Sequence, residues 1–190
     1  GAKPLCGGCG AKLGGRALVV VLGHLPAPDR ADILSRPGDD AAILKGPGKT
    51  TQVITTDHLR AFTQDPWMMA RIAAIHALGD IWAMGGKPQS ALASIILPRL
   101  GADLQAAWLG EIMEAASEVF AAEGAAVVGG HTSIGAELTI GFTVTGLCDT
   151  APITLAGARA GDLLVLTKPI GSGTIMAAEM ALEARGDWVA

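Results

Sequence analysis

Asp39, Asp40, Asp57 and Asp80 are the residues of this 190-residue chain with most scope for chemistry. Asp39 and Asp40 follow a Pro-Gly pair, and Asp57 closes the run Thr55-Thr56-Asp57 at the expected end of a β-branched strand. Asp80 lies inside the apolar segment Trp67 to Met84, four residues after His76, so helical spacing puts both on one face. A carboxylate in so apolar a helix is costly unless it is paired or binds a cation. Carboxylates converging from a loop, a strand end and a helix suit Mg2+, which takes a few of them and completes its shell with phosphate oxygens and water. The plainer alternative has Asp39 opening a turn, Asp57 ending a strand and Asp80 bonding a backbone amide.

Glycine-rich stretches add two candidate anion contacts. Gly129-Gly130-His131-Thr132 follows Val127-Val128. Without a Cβ the backbone amides can approach a phosphate closely, and Thr132 adds a hydroxyl; the same pattern also makes an ordinary turn between two strands. Pro169 to Thr174 resembles a helix-opening anion nest, but lacks the Lys-Ser/Thr of a P-loop and the third glycine of a dinucleotide fingerprint. Residues 1–15 carry Cys6, Cys9 and Lys12 among six glycines and read as a flexible arm. The Cys-x-x-Cys pair suits a redox couple or half a zinc site, yet zinc needs two more ligands, and only Cys148 and scattered histidines remain. Alternatively the arm brings a nucleophilic Cys9 thiol beside Lys12, whose charge favours the thiolate and can also contact a phosphate.

Half the residues are hydrophobic, aromatics make up 4%, and the net charge is −4. That balance gives no basic stripe for nucleic acid. No apolar run reaches the roughly 20 residues that cross a bilayer, since Arg71, His76 and Asp80 interrupt the longest candidate. Three cysteines, an odd number, make no disulfide framework, which points to a reducing, cytoplasmic compartment. The chain begins Gly-Ala without an initiator Met and so reads as a processed piece.

Elements must position these side chains. Leu18 to Leu22 opens a short helix or strand, and the proline-bearing stretch Leu25 to Pro37 is loop. Strands are expected at Asp40–Leu44, Thr51–Thr56, Ser90–Leu97, Ala125–Val128, Glu137–Cys148 and Asp162–Thr167. Asp65-Pro66 starts a helix that ends at Gly85-Gly86. A second helix runs from Asp103 to Glu123, with Leu109, Ile112, Ala116, Val119 and Phe120 at helical spacing and Gly124 as its stop, and a third from Gly173 to Arg185. The order predicts an α+β fold, with a mixed or antiparallel sheet covered by helices on one face. Its organisation is arm 1–15, main domain 16–160, and at 161–190 a linker with the start of a second domain.

Taken in order, these stretches resemble the selenophosphate synthetase (selenide, water dikinase) branch of the aminoimidazole-ribonucleotide-synthetase-like ATP-binding superfamily. The motifs are Cys9-Gly-Ala-Lys12, Asp39-Asp-Ala-Ala42, Thr55-Thr-Asp57, Arg71-Ile-Ala-Ala74, Asp80-Ile-Trp-Ala-Met-Gly-Gly-Lys-Pro88, Gly129-Gly-His-Thr132, Val144-Thr-Gly146 and Leu166-Thr-Lys-Pro-Ile-Gly171. The resemblance implies conversion of ATP, selenide and water to selenophosphate, AMP and phosphate. It implies Cys9 and Lys12 as catalytic residues and Asp40 and Asp80 as Mg2+ ligands. ATP contacts would come from Lys12, Asp39, Asp57, Asp80, Gly129, Gly130, His131 and Thr132. It also implies a homodimer whose strands form a shared β-barrel, with Thr51–Thr56 and Leu138–Cys148 placed in it and pairing by their edges.

Three departures from the family pattern stand out. Ala11 replaces a second arm cysteine while Cys6 lies upstream, His76 stands where Asn is expected, and a C-terminal domain with a further metal-binding Asp is absent. An excised piece is therefore expected to be poorly active alone. The arm also resembles versions fused behind a flavin-dependent oxidoreductase. The alternatives are another kinase of the superfamily, such as thiamine-monophosphate kinase, which has no use for the Cys-Gly-Ala-Lys arm; a non-catalytic nucleotide- or selenium-binding module; and a redox protein using Cys6 and Cys9.

Overall fold

The computed structural model describes residues 12–189. The expectations for Cys6, Cys9 and the rest of the arm up to residue 11 lie outside them. Helix α1 (Gly15–Gly23) leads through a loop to strands β1 (Ala42–Lys45) and β2 (Thr51–Arg60), so Leu18 to Leu22 is helical. Helix α2 (Pro66–Ala83), strand β3 (Lys87–Pro98), helix α3 (Ala102–Ala122), and strands β4 (Ala126–Gly135) and β5 (Thr139–Cys148) complete the sheet and its cover. A 3-10 turn (Leu155–Gly157) and helices α4 (Ser172–Met180) and α5 (Gly186–Val189) follow.

The two long helices begin and end where local chemistry dictates. Asp65 accepts the Met68 backbone N–H at 2.9 Å, and Pro66 stands where no N–H is needed. At the other end Gly85 takes a left-handed φ of 72°. The Gly85 N–H then bonds to the Trp82 carbonyl and the Gly86 N–H to the Ile81 carbonyl, each at 2.9 Å, which absorbs the free carbonyls of the last turn. Gly124 closes α3 in the same way, bonding to Ala121, with Ala125 bonding to Phe120.

The sheet order is β1-β2-β5-β3-β4. All neighbours are antiparallel except β3 and β4, which run parallel and are joined by the α3 crossover. Both long helices cover one face. Val53 and Thr55 of β2, Ala91, Ala93, Ile95 and Leu97 of β3, and Ile140, Phe142, Val144 and Cys148 of β5 are buried there. They share the core with Met69, Leu78 and Ile81 of α2 and Ile112 and Phe120 of α3. Phe120 meets Phe142 edge to face at 5.2 Å between ring centroids. Alternate residues on the opposite face, among them Thr56, His58, Leu92, Ser94 and His131, are exposed. The fold is the mixed-sheet α+β arrangement read from the sequence.

Four expectations need correction. β2 continues three residues past Asp57, because pairing with β5 runs on to Arg60 opposite Thr139. Both β2 and β5 are hydrogen-bonded on two sides, so neither has a free edge for pairing with a second subunit; the outer strands are β1, whose edge is bonded by residues 32–35, and β4. Asp162–Thr167 forms no strand, since nothing among the described residues pairs with it, and Leu163 and Leu164 are fully exposed. The last long helix ends at Met180 rather than Arg185, followed by Leu182 in the left-handed region at φ 59°.

Candidate functional site

The centre of the candidate site is a two-point clamp between β2 and α2. Strand residues two apart share a face and lie about 6.6 Å apart; helix residues four apart share a face and lie about 6 Å apart. The two spacings nearly match, so Thr55 and Asp57 can meet Asp80 and His76 in turn. Thr55 Oγ1 donates to Asp80 Oδ2 at 2.6 Å, and His76 Nε2 stands 2.9 Å from Asp57 Oδ2. Thr55 is buried, which leaves its hydroxyl dependent on Asp80.

Asp57 is satisfied from three directions. Its Oδ1 accepts the His58 backbone N–H at 3.0 Å, and its Oδ2 also faces Lys12 Nζ at 3.6 Å. The Asp57 side chain is only 14% exposed, whereas that of Lys12 is 62% exposed. Asp80 has a pKa raised above its ordinary 3.8, chiefly by burial. The Thr55 hydrogen bond lowers it, the charges of Asp57 and Asp40 raise it, and His76 lowers it. Asp40, Asp57, Asp80, His76 and Lys12 thus belong to one electrostatic neighbourhood, with acids in excess.

Such a cluster fits a hard divalent cation in its chemistry, because every spare ligand is a carboxylate oxygen and positive charge would relieve the cost of ionising Asp80. Among the described residues no group of three or more His, Cys, Asp or Glu side chains could hold a metal ion by itself. A Mg2+ ion here would take two carboxylates and complete its shell from phosphate and water.

Two expected site groups are placed differently. Asp39 accepts the Leu155 backbone N–H at 2.8 Å, so one of its oxygens ties the loop before β1 to the segment after β5. Gly129 to Thr132 form no loop; they lie within β4, an edge strand. A bulge at Val128 shifts the register so that Leu92 pairs with Gly129 and Ala93 with Gly130. Asp57, Phe142, Ala93 and Gly130 then form one row across four strands. At about 4.8 Å per strand, Gly130 lies about 14 Å from Asp57, with Phe142 and Ala93 buried between them under the helices. His131 and Gly129 fall on the exposed face of the sheet. Cys148, the remaining candidate zinc ligand, is buried near the Met84 carbonyl, and burial followed by Asp149 pushes its thiol pKa up.

Sequence reading missed Thr55 as the partner of Asp80 and His76 as the partner of Asp57. The available signal was the alternation Thr55-x-Asp57 against the spacing His76-x-x-x-Asp80, which matters only once β2 is known to lie against α2.

Residues 38–148 match the family model described as AIR synthase related protein, N-terminal domain. A selenide, water dikinase of Nitratidesulfovibrio vulgaris is 38% identical over 181 residues, covering 92% of this chain and 51% of that protein. One from Rhizobium meliloti is also 38% identical, over 176 residues, covering 90% of this chain and 50% of that protein. The chain therefore spans about half the length of these curated relatives. Among solved structures, tt0281 from Thermus thermophilus superposes with a TM-score of 0.61 at 27% identity, covering 74% of this chain and 45% of that one.

Proposed function

The chain belongs to the family of AIR synthase related proteins, and on that premise we propose that it is the nucleotide-binding part of an enzyme that makes selenophosphate from ATP, selenide and water, releasing AMP and phosphate. The observation that carries the reading is the clamp between β2 and α2, which gathers Asp57 and Asp80 near Asp40 and beside Lys12. Carboxylates for a cation and an ammonium for phosphate are what phosphoryl transfer asks of a protein.

In this reading Asp40 and Asp80 hold Mg2+, which when bound neutralises phosphate charge and so favours attack at phosphorus. Lys12 contacts the phosphates, and Asp57 with His76 fixes the nucleotide end of the site. Asp39 contributes through its second carboxylate oxygen, and Gly129, Gly130, His131 and Thr132 supply the remaining nucleotide contacts. Cys9 is the catalytic thiol that handles selenium, kept at the selenide level, for attack on the phosphoryl group. The names of the curated relatives support selenide as acceptor, and the Cys9 and Lys12 arm favours it over a thiamine-monophosphate kinase.

The wider assignment follows the same reading. Residues 1–15 are the catalytic arm, 16–160 the nucleotide domain, and 161–190 the approach to a second domain. The exposed Leu163 to Leu166 then acquire a partner strand. Two subunits associate through the exposed sheet face or the outer edge of β4, forming a barrel. The enzyme works in the cytoplasm, where selenide stays reduced, and fusion to a flavin-dependent oxidoreductase would supply it with reducing power. No helix among the described residues is long and apolar enough to cross a membrane.

The test is AMP formation by the full-length protein from ATP and Mg2+, with and without selenide, alongside Cys9→Ser and Lys12→Ala. Selenide-dependent AMP that is lost in both variants supports the assignment. ADP formation with another acceptor, or nucleotide binding without turnover, removes the selenium assignment and leaves another kinase or a binding module.

A further inference from the structure

Asp57 offers one oxygen to two nitrogen partners. Its Oδ2 meets His76 Nε2 at 2.9 Å and Lys12 Nζ at 3.6 Å, while its Oδ1 is held by the His58 backbone N–H. The neighbouring acid, Asp80, has its Oδ2 taken by the Thr55 hydroxyl at 2.6 Å. An exposed lysine side chain loses much rotamer freedom on docking, so it gains little from a carboxylate that can swivel. With only the His58 amide, Asp57 could turn about its last torsion; a second donor from α2 removes that freedom. α2 is a rigid source for it, because Ala73, Ala77, Leu78 and Ile81 on its inner face are fully or almost fully buried.

We propose that His76 is a positioning residue, which fixes the Asp57 carboxylate as a preformed seat for Lys12, the cation at the root of the N-terminal arm. His76 does not touch Lys12 but acts through the shared oxygen. The seat explains why Lys12 pairs with Asp57 rather than with Asp80 or Asp40, although all three acids share the neighbourhood. This role is independent of the phosphoryl acceptor, so selenium could fail as substrate and the seat would stand.

Trace acetylation with acetic anhydride, read by mass spectrometry, tests it. The rate at Lys12 is compared with exposed Lys45 and Lys49 in the same molecule. Asp57→Asn should raise the relative rate at Lys12 about two- to threefold, the scale of an exposed ion pair. His76→Phe should reproduce most of that rise, and His76→Gln, whose amide N–H reaches about as far as Nε2, should bring it back towards the parent rate. Circular dichroism melts confirm that the variants fold, and His76→Leu, which also lacks a donor, replaces His76→Phe if the latter does not. If Asp57→Asn frees Lys12 while His76→Phe leaves it unchanged, Asp57 holds the arm unaided and the positioning role is wrong. If neither changes the rate, the seat does not exist in solution.

Discussion

Replacing Gly130 by alanine tests whether Gly129 to Thr132 form an edge strand or a turn. A Cβ on Gly130 would overlap the Ala93 carbonyl oxygen and lie 2.8 Å from its carbon and 2.9 Å from its nitrogen. All three atoms are backbone of β3, which is paired on both sides and cannot retreat without breaking its ladders. Overpacking against a fixed partner costs about 1–3 kcal/mol, and the upper half of that range applies because nothing flexible lines the site. For a protein of this size each kcal/mol lowers Tm by about 2–4 °C, so Gly130→Ala should lose about 4–12 °C. Gly129→Ala is the internal control. Its Cβ would meet only the end of the Leu92 side chain, at 3.3 Å, and Leu92 is half-exposed and free to shift. Its expected cost is within about 0.5 kcal/mol. Urea and thermal unfolding followed by circular dichroism give both values. Equal stability of the two variants would refute the β3–β4 pairing and restore the turn.

Three further outcomes follow from the same geometry. Because the folded pKa of Asp80 is raised above 3.8, its ionised form costs stability above that folded pKa, and the cost disappears as pH falls below 3.8. Asp80→Asn, measured with a metal chelator present, should therefore be about 0.5–1 kcal/mol more stable than the parent at pH 7, the difference closing near pH 4; no gain at pH 7 contradicts the burial of Asp80. Thr55→Val removes the donor to Asp80 and should cost about 1–2 kcal/mol in urea unfolding, with Thr55→Ser recovering most of it; indifference to both would mean that the hydrogen bond is not made. Phe142→Ala empties the site beside Phe120 and should cost about 3–5 kcal/mol, and a loss below 1 kcal/mol would show that the rings do not meet in the core.

Local chemistry made the helices legible and left the sheet obscure. Asp65-Pro66, Gly85-Gly86 and Gly124 are punctuation written in single residues, and the structure ends α2 and α3 within a residue or so of it. The extension of β2 was hidden because Asp57 disfavours a strand by propensity, and only its pairing with β5 carries the strand to Arg60. β4 was misread in the opposite sense: Gly129-Gly130 has the composition of a turn, but a bulge and the close approach of Ala93 require glycine inside a strand. No local pattern says that β5, the last strand, inserts between β2 and β3. The same limit applied to the site. The carboxylates could be picked by type, whereas the Thr55–Asp80 and Asp57–His76 links depend on the register of a strand against a helix.

The most direct measurement of the central claim is phosphorus NMR of the full-length protein turning over ATP with Mg2+ and selenium-77-enriched selenide. The account predicts a new phosphorus resonance split by the selenium nucleus, growing together with equal amounts of AMP and inorganic phosphate. ADP as the sole nucleotide product, with no selenium-coupled phosphorus, would contradict it.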